Sequence, residues 1–301
     1  MADGRVDAGD DVKGAAPGPE PVTAEAGGSR PRNGEARGTA GEGPVPGAEA
    51  LGPRLEEAGL RLLVDGAVAT ITLNRPERRN AMTFAMWRTL AEIGASLPGG
   101  VRVVVIRGEG PSFSAGIDLA MFSAPGAGGP SGSDPEGDDR FIADLQAGYT
   151  WLRRPEIVSI AAVHGHAIGA GFQLALSCDL RVIAPDAKFC MKEPALGLVP
   201  DLTGTKPLVD IVGLPRALEL CLTTRTVEAE EAARLGLAEI VAPEGGLDGA
   251  VRGLVDALLA VDPGAAVATK RLLRQAPGNT LEEQAAAERR EQIGRLRALN
   301  R

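Results

Sequence analysis

From residue 60 onward, short apolar runs alternate with segments whose apolar residues recur at helical spacing. The first two runs, 60–64 and 68–73, flank an Asp-Gly pair, which is a strong signal for a tight hairpin turn. Further strands are predicted over 101–107, 157–163 and 180–184, and helices over 83–97, 140–153 and 170–177. Because strands that alternate with helices fold as sheets covered by helices, this pattern predicts an α/β protein.

The first 53 residues differ in composition from the rest of the chain. They contain 12 Gly and 7 Pro but no Phe, Tyr, Trp or Ile. A segment with so little apolar surface cannot offset the entropy of ordering it. We therefore predict a disordered extension over 1–55, a folded core over 56–224 and a mostly helical C-terminal region over 225–301. A second low-complexity stretch, 123–139, is rich in Gly, Pro and Ser and is predicted to be a loop.

The charge and the few Cys and His residues exclude several classes of protein. The 301 residues carry a formal net charge of −8, so the chain lacks the excess of basic residues that binds nucleic acid or an anionic membrane. Three cysteines without a C-x-x-C pair and two histidines predict no disulfide framework and no metal site. No apolar run is long enough to cross a membrane, and the N-terminus has no apolar segment typical of a secretory signal. These features predict a soluble, cytoplasmic protein.

Two glycine-containing stretches could bring the backbone close to a ligand. The stretch 108–118 follows a predicted strand, and the stretch 164–175 runs from a strand into a helix. N–H groups at the start of a helix lack partners within the helix, so such a turn can hold an anion or the oxyanion of a reacting carbonyl. Each stretch taken alone is explained equally well by close packing of strand and helix. The second also lacks the G-x-G-x-x-G spacing of a dinucleotide site.

Three segments together resemble the enoyl-CoA hydratase/isomerase (crotonase) family. They read RPERRNA at 75–81, FSAGIDL at 113–119 and IAAVHGHAIGAGFQLALSCD at 160–179. The resemblance extends over residues 57–301 and implies a spiral of ββα units with a helical C-terminal region, assembled as a homotrimer or a dimer of trimers. It implies an acyl-CoA thioester substrate, with coenzyme A part of that substrate and no separate cofactor. The 123–139 loop would border the acyl pocket, either as a mobile lid or as a passive insertion.

The resemblance places an oxyanion hole for the thioester carbonyl at the backbone N–H groups of Ile117 and Ala170. Two fixed donors stabilise the negative charge that forms on the carbonyl oxygen when a proton leaves the neighbouring carbon. The family usually has Gly where this chain has Ala170, which is compatible with the role if the local φ is negative. Further substrate contacts are expected at Ala115, Gly116, Asp118, Gly169 and Gln173. For Asp118, stabilisation of its loop is the alternative.

Glu193 and Asp201 are the candidate catalytic carboxylates. The resemblance implies two glutamates in hydratases, and this chain keeps Glu193 but has Gln173 at the other position. An amide exchanges no proton at neutral pH, so Gln173 can only orient a water or ligand, or bond to loop backbone as a structural amide. Asp201 matches an aspartate of the dienoyl-CoA isomerase branch, and its alternative role is the N-cap of a following helix.

The presence of one retained glutamate favours one reaction over another. A single carboxylate can move a proton between two carbons of a stabilised dienolate, whereas syn hydration by the usual route needs two carboxylates on one water. We therefore expect double-bond isomerisation of an enoyl-CoA by Glu193, assisted by Asp201. The alternatives are an enoyl-CoA hydratase, in which Gln173 only positions the water, and a non-catalytic acyl-CoA-binding protein.

The resemblance also implies cationic side chains near the phosphates of coenzyme A. The candidates are Arg75, Arg78, Arg79 and Lys270. Lys270 would reach the coenzyme A of a neighbouring subunit. Each of these side chains is alternatively an ordinary solvated charge.

Overall fold

Two sheets organise the part of the chain described by the computed structural model, which covers residues 48–122, 129–130 and 132–300. The strands are Leu60–Asp65 (β1), Val68–Leu73 (β2), Val103–Gly108 (β3), Val158–Val163 (β4), His166–Ile168 (β5), Leu180–Ile183 (β6), Lys188–Cys190 (β7), Val227–Glu228 (β8) and Ile240–Val241 (β9). Within the described residues, the larger sheet has the order β1-β2-β3-β4-β6-β9 and the smaller sheet the order β5-β7-β8. The strands that the sequence predicts before residue 185 are therefore confirmed.

The direction of the strands follows from their connections. β1 and β2 are antiparallel, because a two-residue turn joins them and Gly66 adopts a φ of +54° there. From β2 onward, every neighbouring pair in the larger sheet is parallel. The chain then passes from β4 to β5 in the smaller sheet, returns to β6 and passes again to β7. This alternation of strands between two sheets confirms the prediction of an α/β spiral of the crotonase type.

Helices follow or connect the strands, and polar caps fix where several of them begin. They are Ala48–Glu57 (α1), Phe84–Ser96 (α2), Pro135–Thr150 (α3), Ala170–Ser177 (α4), Thr205–Thr223 (α5, kinked at Gly213), Ala229–Arg234 (α6), Leu247–Ala260 (α7), Pro263–Gln275 (α8) and Leu281–Leu299 (α9). The side chain of Thr83 accepts a hydrogen bond from Met86 N at the start of α2, and Asp134 does the same for Gly137 N in α3. Thr280 and Glu283 form a reciprocal capping box on α9.

Both faces of the larger sheet are buried, which explains why β3 reads as a continuous apolar run. Val104 and Ile106 point into the main core, with side chains of α2 and α4. Val103 and Val105 point to the opposite face and pack with Val251 of α7. Each fully buried side chain of this size stabilises the fold by about 1.5–3 kcal/mol, so the two covered faces hold the strand ends that carry the site in fixed positions.

Three predicted boundaries need correction. The extension predicted over 1–55 is wrong at its end, because α1 begins at Ala48 and Leu51 is buried against the core; residues 1–47 lie outside the described residues. The predicted 123–139 loop ends at Asp134, because α3 begins at Pro135, and residues 123–128 and 131 lie outside the described residues. The region predicted as mostly helical from 225 contributes β8 and β9 to the two sheets before the consecutive helices begin at Leu247. None of the helices in the described ranges is both long and apolar enough to cross a membrane.

Candidate active site

Two extended segments, one around Ser114 and one at His166–Ile168, lie side by side at the start of α4. Ser114 N donates to the carbonyl of His166 over 2.8 Å, and Ile168 N donates back to the carbonyl of Ser114 over 3.0 Å. Gly116 continues the first segment with a φ of +91°, and a Cβ atom at this position would lie 2.8 Å from the carbonyl oxygen of Ile168. Only glycine fits so close an approach at a positive φ, and the approach brings the residues after Gly116 next to the helix start.

The backbone N–H groups of Ile117 and Ala170 lie on this junction. The Cβ position built on Gly116 is 3.9 Å from Ala170 N, and neither N–H donates to another group in the described part of the chain. Ala170 is the first residue of α4, where an N–H has no partner within the helix. The φ of Ala170 is not positive, which is the condition under which alanine can stand where the family usually has glycine. Two N–H groups without partners are what an oxyanion hole requires, and this role of Ile117 and Ala170 stays a prediction.

A cavity of about 500 Å³ opens beside these donors. Ile117, Gly169 and Ala170 line it together with the two carboxylate residues, Glu193 and Asp201. The remaining wall is mostly apolar and includes Phe84, Trp87, Phe141, Ile142, Leu145, Leu198 and Leu202. A cavity of this size and character fits the acyl group of a small organic substrate.

Glu193 begins a single 3₁₀ turn directly after β7. Gly169 N donates to the carbonyl of Cys190 over 2.8 Å, which aligns the ends of β5 and β7 and brings Glu193 beside α4. Gly169 has a φ of +50°, and a Cβ atom there would lie 2.9 Å from Oε1 of Glu193. A side chain at position 169 would therefore collide with the carboxylate of Glu193, and glycine leaves room for it. Both residues are among those that the sequence predicts for the site.

The carboxylate of Glu193 has two inequivalent oxygens. Oε1 accepts a hydrogen bond from Nε2 of Gln173 over 2.7 Å, whereas Oε2 is buried and has no partner within the described residues. Burial raises the pKa of Glu193, hydrogen bonds from its own backbone and from Gln173 oppose that effect, and the charge of Asp201 adds to it. Glu193 thus has one buried oxygen without a partner among the described residues, and its raised pKa gives it a proton affinity above that of an ordinary glutamate.

Gln173 is completely buried on α4. Its Oε1 accepts hydrogen bonds from Leu202 N over 2.9 Å and from Gly204 N over 3.2 Å. These contacts fit the interpretation of Gln173 as a structural amide that bonds to loop backbone. The contact with Glu193 was not anticipated from the sequence.

Asp201 lies on the loop that Gln173 holds. Its main-chain carbonyl accepts a hydrogen bond from Nε2 of Gln146 over 2.7 Å, and the residue lines the cavity. Burial raises the pKa of Asp201. Its alternative role as a helix N-cap is wrong, because α5 begins at Thr205 with Gly204 as its N-cap.

Asp118 and Arg75 form an ion pair directly after the Ile117 donor. Arg75 contacts Oδ2 of Asp118 over 2.9 Å and the carbonyl of Ala81 over 2.5 Å, and the more exposed Arg78 lies 3.3 Å from Oδ1. Burial alone would raise the pKa of Asp118, but hydrogen bonds from Arg75 and from Ala120 N lower it overall. This agrees with the loop-stabilising alternative for Asp118, whereas the contact of Arg75 with coenzyme A stays a prediction.

The other candidate cations occupy different surroundings. Arg79 is exposed, and its main-chain carbonyl accepts a hydrogen bond from Ala115 N over 2.8 Å. Lys270 on α8 is away from the cavity that Glu193 lines, and its ammonium donates to Arg154 O, Ile157 O and Asp179 Oδ2 over 2.7, 2.5 and 2.6 Å. An ammonium group has three protons, so these acceptors use all of them. The Lys270 ammonium thus has three acceptors within this chain, and its contact with a neighbouring coenzyme A stays a prediction.

Several residues of the site are missed by the sequence reasoning. Trp87 and Phe141 line the cavity, and Gln146 supports Asp201. The buried hydroxyl of Tyr149 donates to the carbonyl of Ala170 over 3.2 Å. The signal for Gln146 and Tyr149 is their spacing of three on one helix, which places both on one face. Within the described ranges, no three His, Cys, Asp or Glu side chains cluster as a metal site requires.

Fold and site together define an α/β spiral enzyme with paired backbone donors and a buried carboxylate. A model of the enoyl-CoA hydratase/isomerase family matches residues 64–294. The chain belongs to this family. A solved structure of a candidate enoyl-CoA hydratase from Thermobifida fusca YX in complex with CoA is 60% identical, with a TM-score of 0.80 over 82% of this chain and 96% of that one.

Curated relatives carry the names of two reactions. A probable enoyl-CoA hydratase of Mycobacterium bovis is 32% identical over 75% of this chain and 85% of its own length. A peroxisomal Delta(3,5)-Delta(2,4)-dienoyl-CoA isomerase of Arabidopsis thaliana is also 32% identical, over 74% of this chain and 83% of its own length. The chain is thus an enzyme of a family that includes both hydratases and isomerases.

Proposed function

We propose that this enzyme isomerises enoyl-CoA thioesters by moving a double bond from C3–C4 to C2–C3. The observation that carries the proposal is the single free carboxylate oxygen of Glu193, with an amide at Gln173 where a second acid would be needed to hold a water. A relative of known structure that is 59% identical was solved with acetoacetyl-CoA, which supports a short acyl-CoA as a ligand of this site.

The reaction begins with the thioester carbonyl oxygen between the N–H groups of Ile117 and Ala170. Oε2 of Glu193 removes a proton from C2, and the electron pair moves through C2 onto the carbonyl oxygen to give a dienolate. The two donors stabilise that oxygen, each contributing about 3–4 kcal/mol in comparable sites. The same Glu193 then returns the proton to C4, and the double bond re-forms between C2 and C3.

Asp201 assists this transfer through the effect of its charge on Glu193. Its charge adds to the raised pKa of Glu193, and a carboxylate with a raised pKa is a stronger base for removing the proton from C2. In a substrate with a second double bond, we propose that Asp201 delivers a proton further along the acyl chain.

A hydratase is the second candidate. Two observations favour it: Glu193 and Asp201 line one cavity with raised pKa values, and relatives are named as hydratases. In that reaction the two carboxylates would share one water, and Gln173 would only position Glu193.

Arg78 and Arg79 are exposed beside the site, and we propose them as contacts for the phosphates of coenzyme A. We also propose a homotrimer or dimer of trimers in the cytoplasm. Exposed leucines on α5 support the assembly, because a monomer would leave them in water: Leu214, Leu218 and Leu222.

A substrate panel separates these functions. Purified protein is incubated with 3-enoyl-, 2-enoyl- and 3,5-dienoyl-CoA of several chain lengths, and the products are identified by mass spectrometry and ultraviolet absorbance. We expect 2-enoyl-CoA from 3-enoyl-CoA. Conversion of 2-enoyl-CoA to 3-hydroxyacyl-CoA alone would replace the isomerase by the hydratase, and tight binding without any conversion would contradict both reactions.

A further inference from the structure

Gln173 connects the two parts of the site that carry carboxylates. Its side chain contacts Glu193 through Nε2 and the backbone of the 202–204 loop through Oε1, and it is completely buried. The loop packs tightly on it, since a Cβ atom at Gly204 would lie 2.5 Å from Cγ of Gln173. The amide therefore has little freedom to rotate or move away from either partner.

The chemistry of the loop fixes which way the amide faces. Leu202 N and Gly204 N are backbone donors that cannot accept a hydrogen bond, so the amide oxygen must face them. The NH₂ group must then face Glu193, and it can only donate. Oε1 of Glu193 is thereby obliged to be an acceptor, so a proton on this carboxyl belongs on Oε2.

We infer that Gln173 is a positioning residue that confines the proton of Glu193 to Oε2, the oxygen without a partner in the described residues, and keeps the carboxyl ionised often enough to act as a base. The reaction this base performs rests on the proposed function, whereas the position and affinity of the proton do not. Burial favours the protonated form of Glu193, and the hydrogen bond from Gln173 favours the ionised form. Gln173 thus offsets part of the increase in the pKa of Glu193 that burial causes.

The size of this effect is measurable. A hydrogen bond to an ionised group changes the pKa of that group by about one pH unit or more when it is lost. Without the Gln173 donor, we expect the pKa of Glu193 to rise by about one unit. Since a base must be deprotonated, the acid limb of kcat/KM would move to higher pH by the same amount.

The test measures the pKa of Glu193 directly, by carbon-13 NMR titration of protein labelled at the glutamate carboxyl carbons, with E193Q identifying the signal. In Gln173→Met, which keeps the length of the side chain but removes the amide, we expect the upward shift. Gln146→Met is the matched control, because Gln146 supports the same loop through Asp201 O but is not a partner of Glu193. Loosening the loop alone would move Asp201 away and lower the pKa of Glu193, which is the opposite sign.

An unchanged pKa of Glu193 in Gln173→Met would overturn the inference, even if that variant were less stable. If Gln173→Met does not fold, Gln173→Glu keeps acceptors for both loop N–H groups. Two carboxyls at hydrogen-bond distance share one proton, so Glu193 should then titrate in two coupled steps, and a single step at the wild-type pKa would contradict the inference. Because the titration needs no turnover, failure of the isomerase assay leaves this result interpretable.

Discussion

The side-chain amide of Gln173 donates to Oε1 of Glu193 over 2.7 Å, and Oε2 of the same carboxylate has no partner in the described residues. A buried carboxylate with one hydrogen-bonded oxygen and one oxygen without a partner can accept and return a proton at the second oxygen. A second carboxyl at 173 would instead let two acids hold one water. The identity of residue 173 therefore bears on which reaction of the family this chain performs.

Replacing Gln173 by Glu should change the reaction ratio. The paired carboxyls would supply an acid and a base to one water, so we expect hydration of 2-enoyl-CoA to increase about tenfold or more relative to isomerisation of 3-enoyl-CoA. Rates with both substrates measure the ratio. Gln173→Met is the control because it removes the amide without adding an acid, and an equal ratio in Gln173→Glu and wild type would contradict the expectation.

Replacing Ala170 by Pro should remove one oxyanion donor with little change to the helix. Ala170 is the first residue of α4, a position where proline fits because its missing N–H has no helical partner. We expect kcat to fall about 100- to 1,000-fold. Ala170→Gly keeps the N–H and measures the effect of the side chain alone; an equal loss in both variants would mean that the N–H is not the donor.

The ion pair between Arg75 and Asp118 should support the Ile117 donor. Without Arg75, Asp118 loses its shortest side-chain partner and the segment after Ile117 loses an anchor. We expect Arg75→Met to lower kcat about tenfold, or about 1.4 kcal/mol, with little change in KM. Arg78→Met, whose contact is longer and more exposed, is the matched comparison for kcat. A higher KM with an unchanged kcat in Arg75→Met would instead indicate a contact with coenzyme A.

Lys270 should stabilise the fold. Its ammonium is largely buried against Asp179 and two carbonyls, so Lys270→Met leaves a buried carboxylate with fewer partners. We expect a loss of about 3 kcal/mol in the free energy of unfolding, measured by urea denaturation. The exposed contact of Arg274 with Asp179 should contribute less than about 1 kcal/mol. Unchanged stability of Lys270→Met with weaker binding of coenzyme A would contradict this expectation and favour the predicted contact with coenzyme A.

Most of the fold follows from local patterns in the sequence. The β-branched run of β3 and the Asp-Gly turn before β2 specify a strand and a hairpin without reference to distant residues. The helix α1 could not be predicted in the same way, because Gly and Pro dominate the composition around it. What orders it is contact of Leu51 and Leu55 with the core, which composition does not reveal.

The site was predictable where a role depends on the backbone and less so where it depends on a partner. Ile117, Ala170 and Glu193 follow from motifs, and the structure brings all three to one cavity. The sequence shows that Lys270 is charged but not that it meets Asp179, 91 residues away. Likewise it shows an amide at Gln173 but not the loop donors that fix its orientation.

The most direct test of the account is the isomerisation of 3-enoyl-CoA by Glu193→Gln. Gln at 193 keeps the shape of the side chain but cannot accept a proton from C2, so we expect kcat to fall about 1,000-fold. The affinity for a saturated acyl-CoA, measured by calorimetry, should stay close to that of wild type. Isomerisation by Glu193→Gln at a rate within a few-fold of wild type would contradict the assignment of Glu193 as the group that moves the proton.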